Sequence, residues 1–315
     1  MIVLVTGALG FIGSHICVEL LLKGFSVVAI DNLSNSCLSV FEKIRFYGKN
    51  IHLFTNDVQN LESVFRVFDI ELVIHLAGSK SVNQSIKDPL DYYCNNVCNT
   101  VALLETMKMA DCKNIIFSSS ATVYGTNAKY PVDETSQTDL HSITSPYGKT
   151  KCMIEEILFD IHKSDSKWNI CILRYFNPIG HLGNLHELPL NKPNNLFPIL
   201  VQKSMKNEIL EVYGQDYDTK DHTCVRDFIH VIDVAKAHLA CININGFNIY
   251  NIGTGKGTSV LELIRTFEKV NQKNIGFQIK PRRDGDIATM YASIEKIQKE
   301  LNWQPTKTLE DMCQI

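Results

Sequence analysis

The sequence of 315 residues lacks several features that would point to particular classes of protein. No apolar run reaches the length of about 20 residues that a membrane-spanning helix needs. The formal net charge is only −3, which gives no general reason to expect nucleic acid or an anionic membrane as a partner. Repeats and low-complexity segments are missing. We also expect no signal peptide, because residues 2–5 already have a strand pattern without a preceding basic region.

The cysteines do not have the spacing of a metal site. The ten cysteines are scattered, and several, such as Cys17, Cys171 and Cys241, fall within apolar patterns. Neither Cys-x-x-Cys nor a paired Cys/His spacing of the zinc type occurs, so no metal is predicted. Cys94 and Cys98 form the closest pair, and we expect them to be buried thiols like the others. A reduced, cytoplasmic compartment follows as the default.

The apolar residues that are present form strands and helices that alternate along the chain. A hydrophobic content of 45% and a charged content of 21% are ordinary for a globular protein, and the length allows two domains. The alternation favours an α/β fold with a doubly wound parallel (Rossmann-type) sheet and a smaller mixed α/β C-terminal domain. We predict a first domain at 1–178, which 227–254 rejoins, and a second at 179–226 and 255–315. Strands are predicted at 2–5, 26–30, 52–55, 71–77, 114–118, 170–178 and 249–255, long helices at 89–110 and from Pro146, a loop at 181–195 and a short helix from Leu196.

The first strand runs into a glycine loop that is typical of a phosphate-binding turn. Gly7, Gly10 and Gly13 follow residues 2–5 and open a helix. Glycine allows close approach of the backbone to a pyrophosphate, and the helix N-terminus favours the negative charge. About 20 residues further on, the second strand ends at Asp31, which can accept both ribose hydroxyls of an adenosine and repels a 2′-phosphate. This pattern favours NAD over NADP.

Two other strand ends carry polar side chains. Asp57 follows the third strand and is suitably placed to meet the adenine amino group, although Asp31 and Asp57 could both be simple helix caps. Ser120 and Thr122 follow the fifth strand, where ligands of a doubly wound sheet lie. Their hydroxyls can orient a substrate hydroxyl and pass on its proton. Serine clusters after strands also form ordinary turns, so this pattern alone leaves both interpretations open.

A tyrosine and a lysine one helical turn apart form the candidate catalytic pair. Pro146 suits the first turn of a helix, and the apolar residues after Lys151 recur at helical spacing. Tyr147 and Lys151 therefore share a face of this helix. We predict that the ammonium lowers the pKa of Tyr147 from its reference of about 10, which gives a base near neutral pH. A surface tyrosine beside a surface lysine is the alternative interpretation of the pair taken alone.

Together these residues resemble the extended short-chain dehydrogenase/reductases and, within them, the UDP-glucose 4-epimerases. The resemblance extends over essentially the whole chain. Its motifs are Thr6-Gly7-x-x-Gly10-x-Ile12-Gly13-Ser14-His15, Asp31-Asn32-Leu33, Ser118-Ser119-Ser120-Ala121-Thr122-Val123-Tyr124-Gly125, Ser145-Pro146-Tyr147-Gly148-x-x-Lys151, Leu173-Arg174-Tyr175-Phe176-Asn177-Pro178, Pro193-Asn194-Asn195-Leu196, Val225-Arg226-Asp227-Phe228-Ile229-His230-Val231 and Pro281-Arg282-Arg283-Asp284-Gly285-Asp286.

The resemblance implies an isomerase that interconverts UDP-glucose and UDP-galactose in galactose metabolism, with tightly held NAD and as a homodimer. It implies an NAD-binding first domain, a nucleotide-sugar-binding second domain, and catalysis by Tyr147, Lys151, Ser120 and Thr122. The implied dinucleotide contacts are Gly7, Gly10, Phe11, Ile12, Gly13, Asp31, Asn32, Asn35, Ser36, Asp57, Val58, Leu76, Ala77, Lys80, Asn95, Ser120, Tyr147, Lys151 and Tyr175. The implied substrate contacts are Lys80, Ser120, Thr122, Tyr147, Asn177, Asn195, Leu196, Arg226, Arg283, Asp286 and Met290.

Two departures from the family pattern and two rival functions bear on this interpretation. Met290 stands at the position where, in this family, a bulky side chain is taken to exclude an N-acetyl group. Methionine is of intermediate size and adaptable, so an N-acetylated hexose is not excluded as the substrate. The sequence does not exclude a uronic acid either. A 4,6-dehydratase needs a carboxylic acid at Thr122 or its neighbour, and Ala121 and Thr122 supply none. A redox-sensing or scaffold protein of the same fold typically lacks the Tyr/Lys pair or the serine. The chain ends at Ile315, earlier than the family usually does, so we expect a final helix or tail to be missing.

Overall fold

The computed structural model describes residues 1–126, 128–186, 193, 195–283 and 286–315, and its chain divides into two compact units. Unit 1 comprises Met1–Asn127, Gln137–Arg174 and Ala235–Tyr250, and unit 2 comprises Ala128–Ser136, Tyr175–Val234 and Asn251–Ile315. These boundaries differ from the sequence-based ones, because residues 128–136 and 175–178 belong to unit 2 and only 235–250 of the segment 227–254 belongs to unit 1. The division of ligand binding between two domains stays a prediction.

Fourteen short strands occur in the described part of the chain. They are β1 (Ile2–Thr6), β2 (Ser26–Ile30), β3 (Ile51–Phe54), β4 (Leu72–His75), β5 (Asn114–Ser120), β6 (Asn169–Tyr175), β7 (Asn177–Ile179), β8 (Leu210–Tyr213), β9 (Val225–Arg226), β10 (Phe228–His230), β11 (Phe247–Ile252), β12 (Thr258–Ser259), β13 (Phe277–Lys280) and β14 (Thr289–Met290). The predicted strand at 170–178 is thus two strands, β6 and β7, separated at Phe176.

The α-helices of the described residues alternate with these strands. They are α1 (Phe11–Leu22), α2 (Leu38–Arg45), α3 (Glu62–Val67), α4 (Val82–Lys87), α5 (Pro89–Tyr92), α6 (Asn99–Met109), α7 (Pro146–Ser164), α8 (Leu196–Lys206), α9 (Val231–Ala240), α10 (Val260–Asn271), α11 (Glu295–Leu301) and α12 (Leu309–Cys313). A π-helix at Tyr93–Cys98 joins α5 to α6, and a 3₁₀ turn at Ala121–Tyr124 follows β5.

Unit 1 is built on a seven-stranded sheet in the order β11-β6-β5-β4-β1-β2-β3. β1 pairs in parallel with β2 and β4, β2 with β3, and β4 with β5. The strand order reverses at β1, where one connection runs to β2 and the next leads to β4, and the carboxyl ends of the strands at such a point are where ligands of doubly wound sheets bind. The predicted Rossmann-type fold class is confirmed.

The inner strands of the unit 1 sheet are buried on both faces, which explains their largely apolar sequences. Leu4 of β1 and Phe117 of β5 are at most 1% exposed and belong to one core cluster. On α7 the apolar stripe that follows Lys151 places Ile154 and Leu158 in the same cluster. The helical spacing in the sequence therefore identifies the face by which α7 packs on the sheet.

Unit 2 has its own core and three small sheets. β10 pairs with β7, β13 pairs with β8, and β9 lies between β12 and β14. Its core cluster includes Phe197 of α8, Phe228 of β10 and Phe267 of α10. A capping box in which Ser259 and Glu262 satisfy each other's backbone groups starts α10.

Other sequence-based expectations have mixed outcomes. The helix predicted at 89–110 is interrupted by the π-helix, and Cys94 and Cys98 are exposed, so the expectation that they are buried is wrong. All ten cysteines are free thiols. The predicted loop at 181–195 lies partly outside the described residues, as do Asn194, Asp284 and Gly285 of the recognised motifs. Among the described helices, none is long and apolar enough to cross a bilayer.

Candidate active site

The loop between β1 and α1 is a cradle that only glycine can form. Gly7 has a φ of +65°, and a Cβ on Gly13 would lie 2.1 Å from the carbonyl oxygen of Gly7. The Gly7 carbonyl in turn accepts the Gly10 amide at 3.1 Å, and Gly10 is the N-cap residue of α1 and provides no side-chain cap. The first amide groups of α1 are therefore available to an anion. This loop fits the pyrophosphate of the predicted NAD.

Asp31 directly follows β2, holds the neighbouring loops by hydrogen bonds and retains an acceptor position for a ligand. It is 7% exposed, and its carboxylate accepts the amides of Leu9 at 2.9 Å and Leu33 at 3.0 Å and the hydroxyl of Ser36 at 2.6 Å. A carboxylate offers about four acceptor positions, so one of them remains for a ribose hydroxyl. Asp31 caps no helix, which removes the simplest alternative to a ligand role.

The other residues predicted to hold the dinucleotide follow the carboxyl ends of β1 to β6. Asp57 is exposed after β3, and one of its oxygens accepts the side-chain amide of Asn32 at 2.8 Å. The remaining predicted residues have the following positions: Phe11 and Ile12 at the start of α1, Asn35 and Ser36 after β2, Val58 after β3, Leu76, Ala77 and Lys80 after β4, Asn95 on the π-helix, and Tyr175 at the end of β6.

Asn96, the neighbour of the predicted Asn95, connects three elements of unit 1. Its side chain is 2% exposed, accepts the Ser79 amide at 2.7 Å and donates to the Ser79 carbonyl and to the Thr150 hydroxyl, each at 3.0 Å. Thr150 donates to the carbonyl of Tyr147 at 2.7 Å. Asn96 thus ties the loop after β4 to the first turns of α7, and these tertiary bonds accompany the π-helix, a feature common at functional sites.

Ser120, Thr122 and Tyr147 meet where β5 ends and α7 begins. The Thr122 hydroxyl donates to the Ser120 hydroxyl at 3.0 Å, and Ser120 hydrogen-bonds to the Tyr147 phenol. Ser145 caps α7 by accepting the Gly148 amide at 3.2 Å. A Cβ on Gly148 would lie 3.2 Å from the Thr122 hydroxyl oxygen, so glycine lets α7 approach the 3₁₀ turn closely. The structure therefore brings together the three hydroxyls that the sequence placed at this edge.

The prediction that Lys151 lowers the pKa of Tyr147 is wrong for the protein without its cofactor. Removal of the phenol from water raises the pKa of Tyr147 above its ordinary value, and the bond with Ser120 only partly offsets this. The Lys151 ammonium instead donates to the Ser118 carbonyl at 2.7 Å and lies 4.7 Å from the centre of the Phe117 ring. Burial lowers the pKa of Lys151 to about 8, and the nearby Glu155 counteracts this.

Arg226 and Met290, predicted to contact the substrate, are register partners in unit 2. They face each other across the parallel pair β9 and β14. Asp227, next to Arg226, is fully buried and accepts the Thr254 amide at 2.7 Å and the Ala292 amide at 3.2 Å. Burial raises the pKa of this carboxyl to about 6, although these bonds oppose the rise. Asp227 thereby holds the segment that carries Met290 against β9.

The remaining residues of unit 2 that are predicted to contact the substrate lie at exposed positions or at the ends of helices and strands. Arg283 forms an ion pair with Asp286 at 2.9 Å and lies 5.0 Å from the centre of the Tyr213 ring. Asn177 begins β7, and Asn195 is the N-cap residue of α8, whose first residue is Leu196. The Asn195 side chain forms no capping hydrogen bond with α8, so it leaves the N-terminal amides of this helix available to an anion.

Sequence reasoning missed the buried polar residues behind this site. Glu155, Ser119 and Arg174 form a hydrogen-bonded cluster next to Lys151, and Asp227 organises the loops of unit 2. Only one signal in the sequence pointed to the cluster: Glu155 follows Lys151 by one helical turn on the buried face of α7. The partners across the sheet could not be found from spacing.

The fold and the site define an NAD-dependent protein of the extended short-chain dehydrogenase/reductase class. A family model described as GDP-mannose 4,6 dehydratase matches residues 4–315. The UDP-glucose 4-epimerase of Bacillus subtilis is 45% identical over 99% of this chain and 95% of its own, and UDP-glucose 4-epimerase 2 of Arabidopsis thaliana is 45% identical over 99% and 92%. The crystal structure of UDP-glucose 4-epimerase from Bifidobacterium longum in complex with NAD+ and UDP superimposes with a TM-score of 0.95, 44% identity and coverage of 99% and 96%. The chain belongs to the UDP-glucose 4-epimerase family, which confirms the resemblance seen in its sequence.

Proposed function

We propose that this protein interconverts UDP-glucose and UDP-galactose by removing and returning the hydride at C4 of the hexose. The observation that carries the proposal is the hydrogen bond between Ser120 and Tyr147 beside the buried Lys151, within a family of this activity. Tyr147 would take and return the proton of the 4-hydroxyl, and Ser120, with Thr122 behind it, would bridge that oxygen and the phenol. Rotation of the 4-keto sugar between the two hydride transfers would invert the centre.

NAD fits the residues of unit 1. The β1–α1 loop would hold its pyrophosphate, Asp31 its adenosine ribose, Asp57 its adenine and Lys151 its nicotinamide ribose. When bound, NAD supplies the acceptor and donor of the C4 hydride and, in its oxidised form, a positive charge. Several solved relatives contain NAD, including the UDP-glucose 4-epimerase of Thermus thermophilus, which supports this assignment.

The nucleotide of the substrate would be held by residues of unit 2. Arg226 and Arg283 are suited to the diphosphate, because a guanidinium fork matches phosphate oxygens. The exposed pair of Arg283 with Asp286 can exchange for substrate at little cost, since such surface pairs contribute only about 0–1 kcal/mol. Asp286 would then be free to accept uridine ribose hydroxyls, while Asn177, Asn195 and Leu196 would hold diphosphate and uracil.

Three rival activities are less well supported. The family model carries the name of a dehydratase, but the 3₁₀ turn at Ala121–Tyr124 contains no carboxylic acid that could eliminate water. A UDP-N-acetylglucosamine or UDP-glucuronate 4-epimerase would use the same catalytic residues, with Met290 bearing on the choice of hexose. One solved relative, from Campylobacter jejuni, is named a UDP-Glc/GlcNAc 4-epimerase, at 34% identity.

The first prediction concerns substrate choice. Purified protein without added NAD should convert UDP-galactose to UDP-glucose faster than it converts UDP-N-acetylgalactosamine or UDP-glucuronate, as measured by separating the nucleotide sugars after timed incubation. No NAD needs to be added, because tightly held NAD is regenerated in each catalytic cycle. Faster conversion of either rival sugar would select the corresponding alternative, and no product with NAD added would discard the proposed activity.

A second prediction concerns the oligomeric state. We place the protein in the cytoplasm, because ten free cysteines favour a reducing compartment. We propose a homodimer joined through the apolar groove between α6 and α7, which Val101, Ile157 and Trp168 line. Light scattering should give the mass of two chains, and Val101→Glu should halve it because a buried charge opposes association. Val67→Glu on α3 is the matched control, since Val67 is also exposed but lies elsewhere. A single-chain mass for the unmodified protein would refute the dimer.

A further inference from the structure

Three consecutive serines at the end of β5 each bond to a different residue of α7. The Ser118 carbonyl accepts the Lys151 ammonium at 2.7 Å, the Ser119 hydroxyl donates to Glu155, and Ser120 bonds to Tyr147. The first and third contacts involve groups with proposed roles in the reaction. Glu155 has no such role, yet its contact lies between the other two in the chain.

Glu155 is held by the most completely buried ion pair among the described residues. Arg174 donates to its two carboxylate oxygens, from Nε at 3.1 and 3.2 Å and from Nη2 at 2.6 Å, and the two side chains are only 4% and 6% exposed. The guanidinium also lies 4.8 Å from the centre of the Tyr124 ring, which ends the 3₁₀ turn carrying Thr122. Desolvation offsets most of the attraction in such a pair, so stability alone is a weak reason for it.

The charge of Glu155 also acts on Lys151, one helical turn earlier. Burial disfavours the ammonium and lowers the pKa of Lys151 to about 8, whereas the Glu155 carboxylate raises it. The other titratable groups nearby are Tyr147 and Cys152 on the same helix, His75 on β4, Arg174 on β6 and Tyr124 after β5. His75 is neutral over the working range because burial lowers its pKa to about 3, and Arg174 is engaged by Glu155.

We propose that Glu155 is a positioning residue for the epimerase reaction. Through Ser119 it keeps the end of β5 in register with α7, so that Ser120 faces Tyr147, and its charge keeps the neighbouring Lys151 protonated. Arg174 holds the carboxylate in place from β6. This inference rests on the proposed epimerase function and adds to it a residue that touches neither substrate nor cofactor.

The third prediction tests the two parts of this proposal separately. Glu155→Gln should lower kcat about tenfold with an unchanged KM. On the alkaline side of the pH profile, its activity should be lost at a pH about one unit lower than in the unmodified protein, because an ammonium without its neighbouring anion loses its proton at a lower pH. Ser119→Ala removes the bridge but keeps the charge, so kcat should fall while the pH profile stays in place. Steady-state rates between pH 6 and 10, normalised to bound dinucleotide, measure both effects.

The matched control is Glu156→Gln, the same substitution at the exposed neighbouring position of α7, which should leave kcat and the pH profile unchanged. If both Glu155→Gln and Ser119→Ala keep the kcat and pH profile of the unmodified protein per bound dinucleotide, Glu155 is purely structural and the inference is wrong. If Glu155→Gln does not fold, because Arg174 is left unpaired, an unchanged kcat of Ser119→Ala is sufficient to overturn the positioning role. An inactive unmodified protein would instead refute the proposed function.

Discussion

Tyr147→Phe should lower the turnover of UDP-galactose at least about a hundredfold while the protein still copurifies with dinucleotide. General acid–base catalysis contributes about 10²–10⁴-fold, and phenylalanine keeps the ring of Tyr147 but removes the oxygen that Ser120 contacts. Dinucleotide should remain, because the β1–α1 loop and Asp31 are untouched. The rate of UDP-glucose formation and the absorbance of bound dinucleotide are the two measurements.

The matched control for this fourth prediction is Tyr47→Phe. Tyr47 follows α2, packs edge-on against Phe46 and has no part in the proposed site, so its variant should turn over normally. Near-normal turnover in Tyr147→Phe would remove the phenol from the role of base. A parallel loss of dinucleotide would show that Tyr147 acts in cofactor binding, and the rate per bound dinucleotide separates these two results.

Most of unit 1 could be predicted from the sequence because its signals are local. The glycine spacing, the strand that ends at Asp31 and the helical repeat after Lys151 each depend on neighbours along the chain. In a parallel sheet the carboxyl ends of the strands meet at one edge. Knowing the strands was therefore enough to place Ser120 near Tyr147.

What the sequence could not provide depends on contacts between distant segments. The pKa of Tyr147 was predicted in the wrong direction because spacing shows that Lys151 is near, but not that the phenol is buried away from water or that the Lys151 ammonium bonds to Ser118. The π-helix was missed because the bonds from Asn96 to Ser79 and Thr150 cross from one element to another. In unit 2, where short strands and loops have no clear period, the site residues came from the family resemblance alone.

Gly13→Ala should abolish the ability of the protein to work without added NAD. The new Cβ would lie 2.1 Å from the Gly7 carbonyl oxygen and 3.0 Å from the Ala8 Cα, both backbone atoms that cannot rotate away. The β1–α1 loop must therefore shift, and overpacking of this kind costs about 1–3 kcal/mol. If that cost is borne by dinucleotide binding, affinity falls between about fivefold and about 140-fold. Activity should then depend on the concentration of NAD supplied, and dinucleotide should be lost on gel filtration.

Gly276→Ala makes the same chemical change where there is space for it. Its new Cβ would meet only Ile209, at 3.9 Å, so bound dinucleotide and turnover should match those of the unmodified protein. If Gly13→Ala also retains its dinucleotide and works without added NAD, the close approach of α1 to β1 is not what shapes the cofactor site. If Gly13→Ala only unfolds at a lower temperature, the glycine serves packing. Loss of NAD from a folded variant is the result that ties this glycine to the cofactor, because a general packing defect would not be repaired by added dinucleotide.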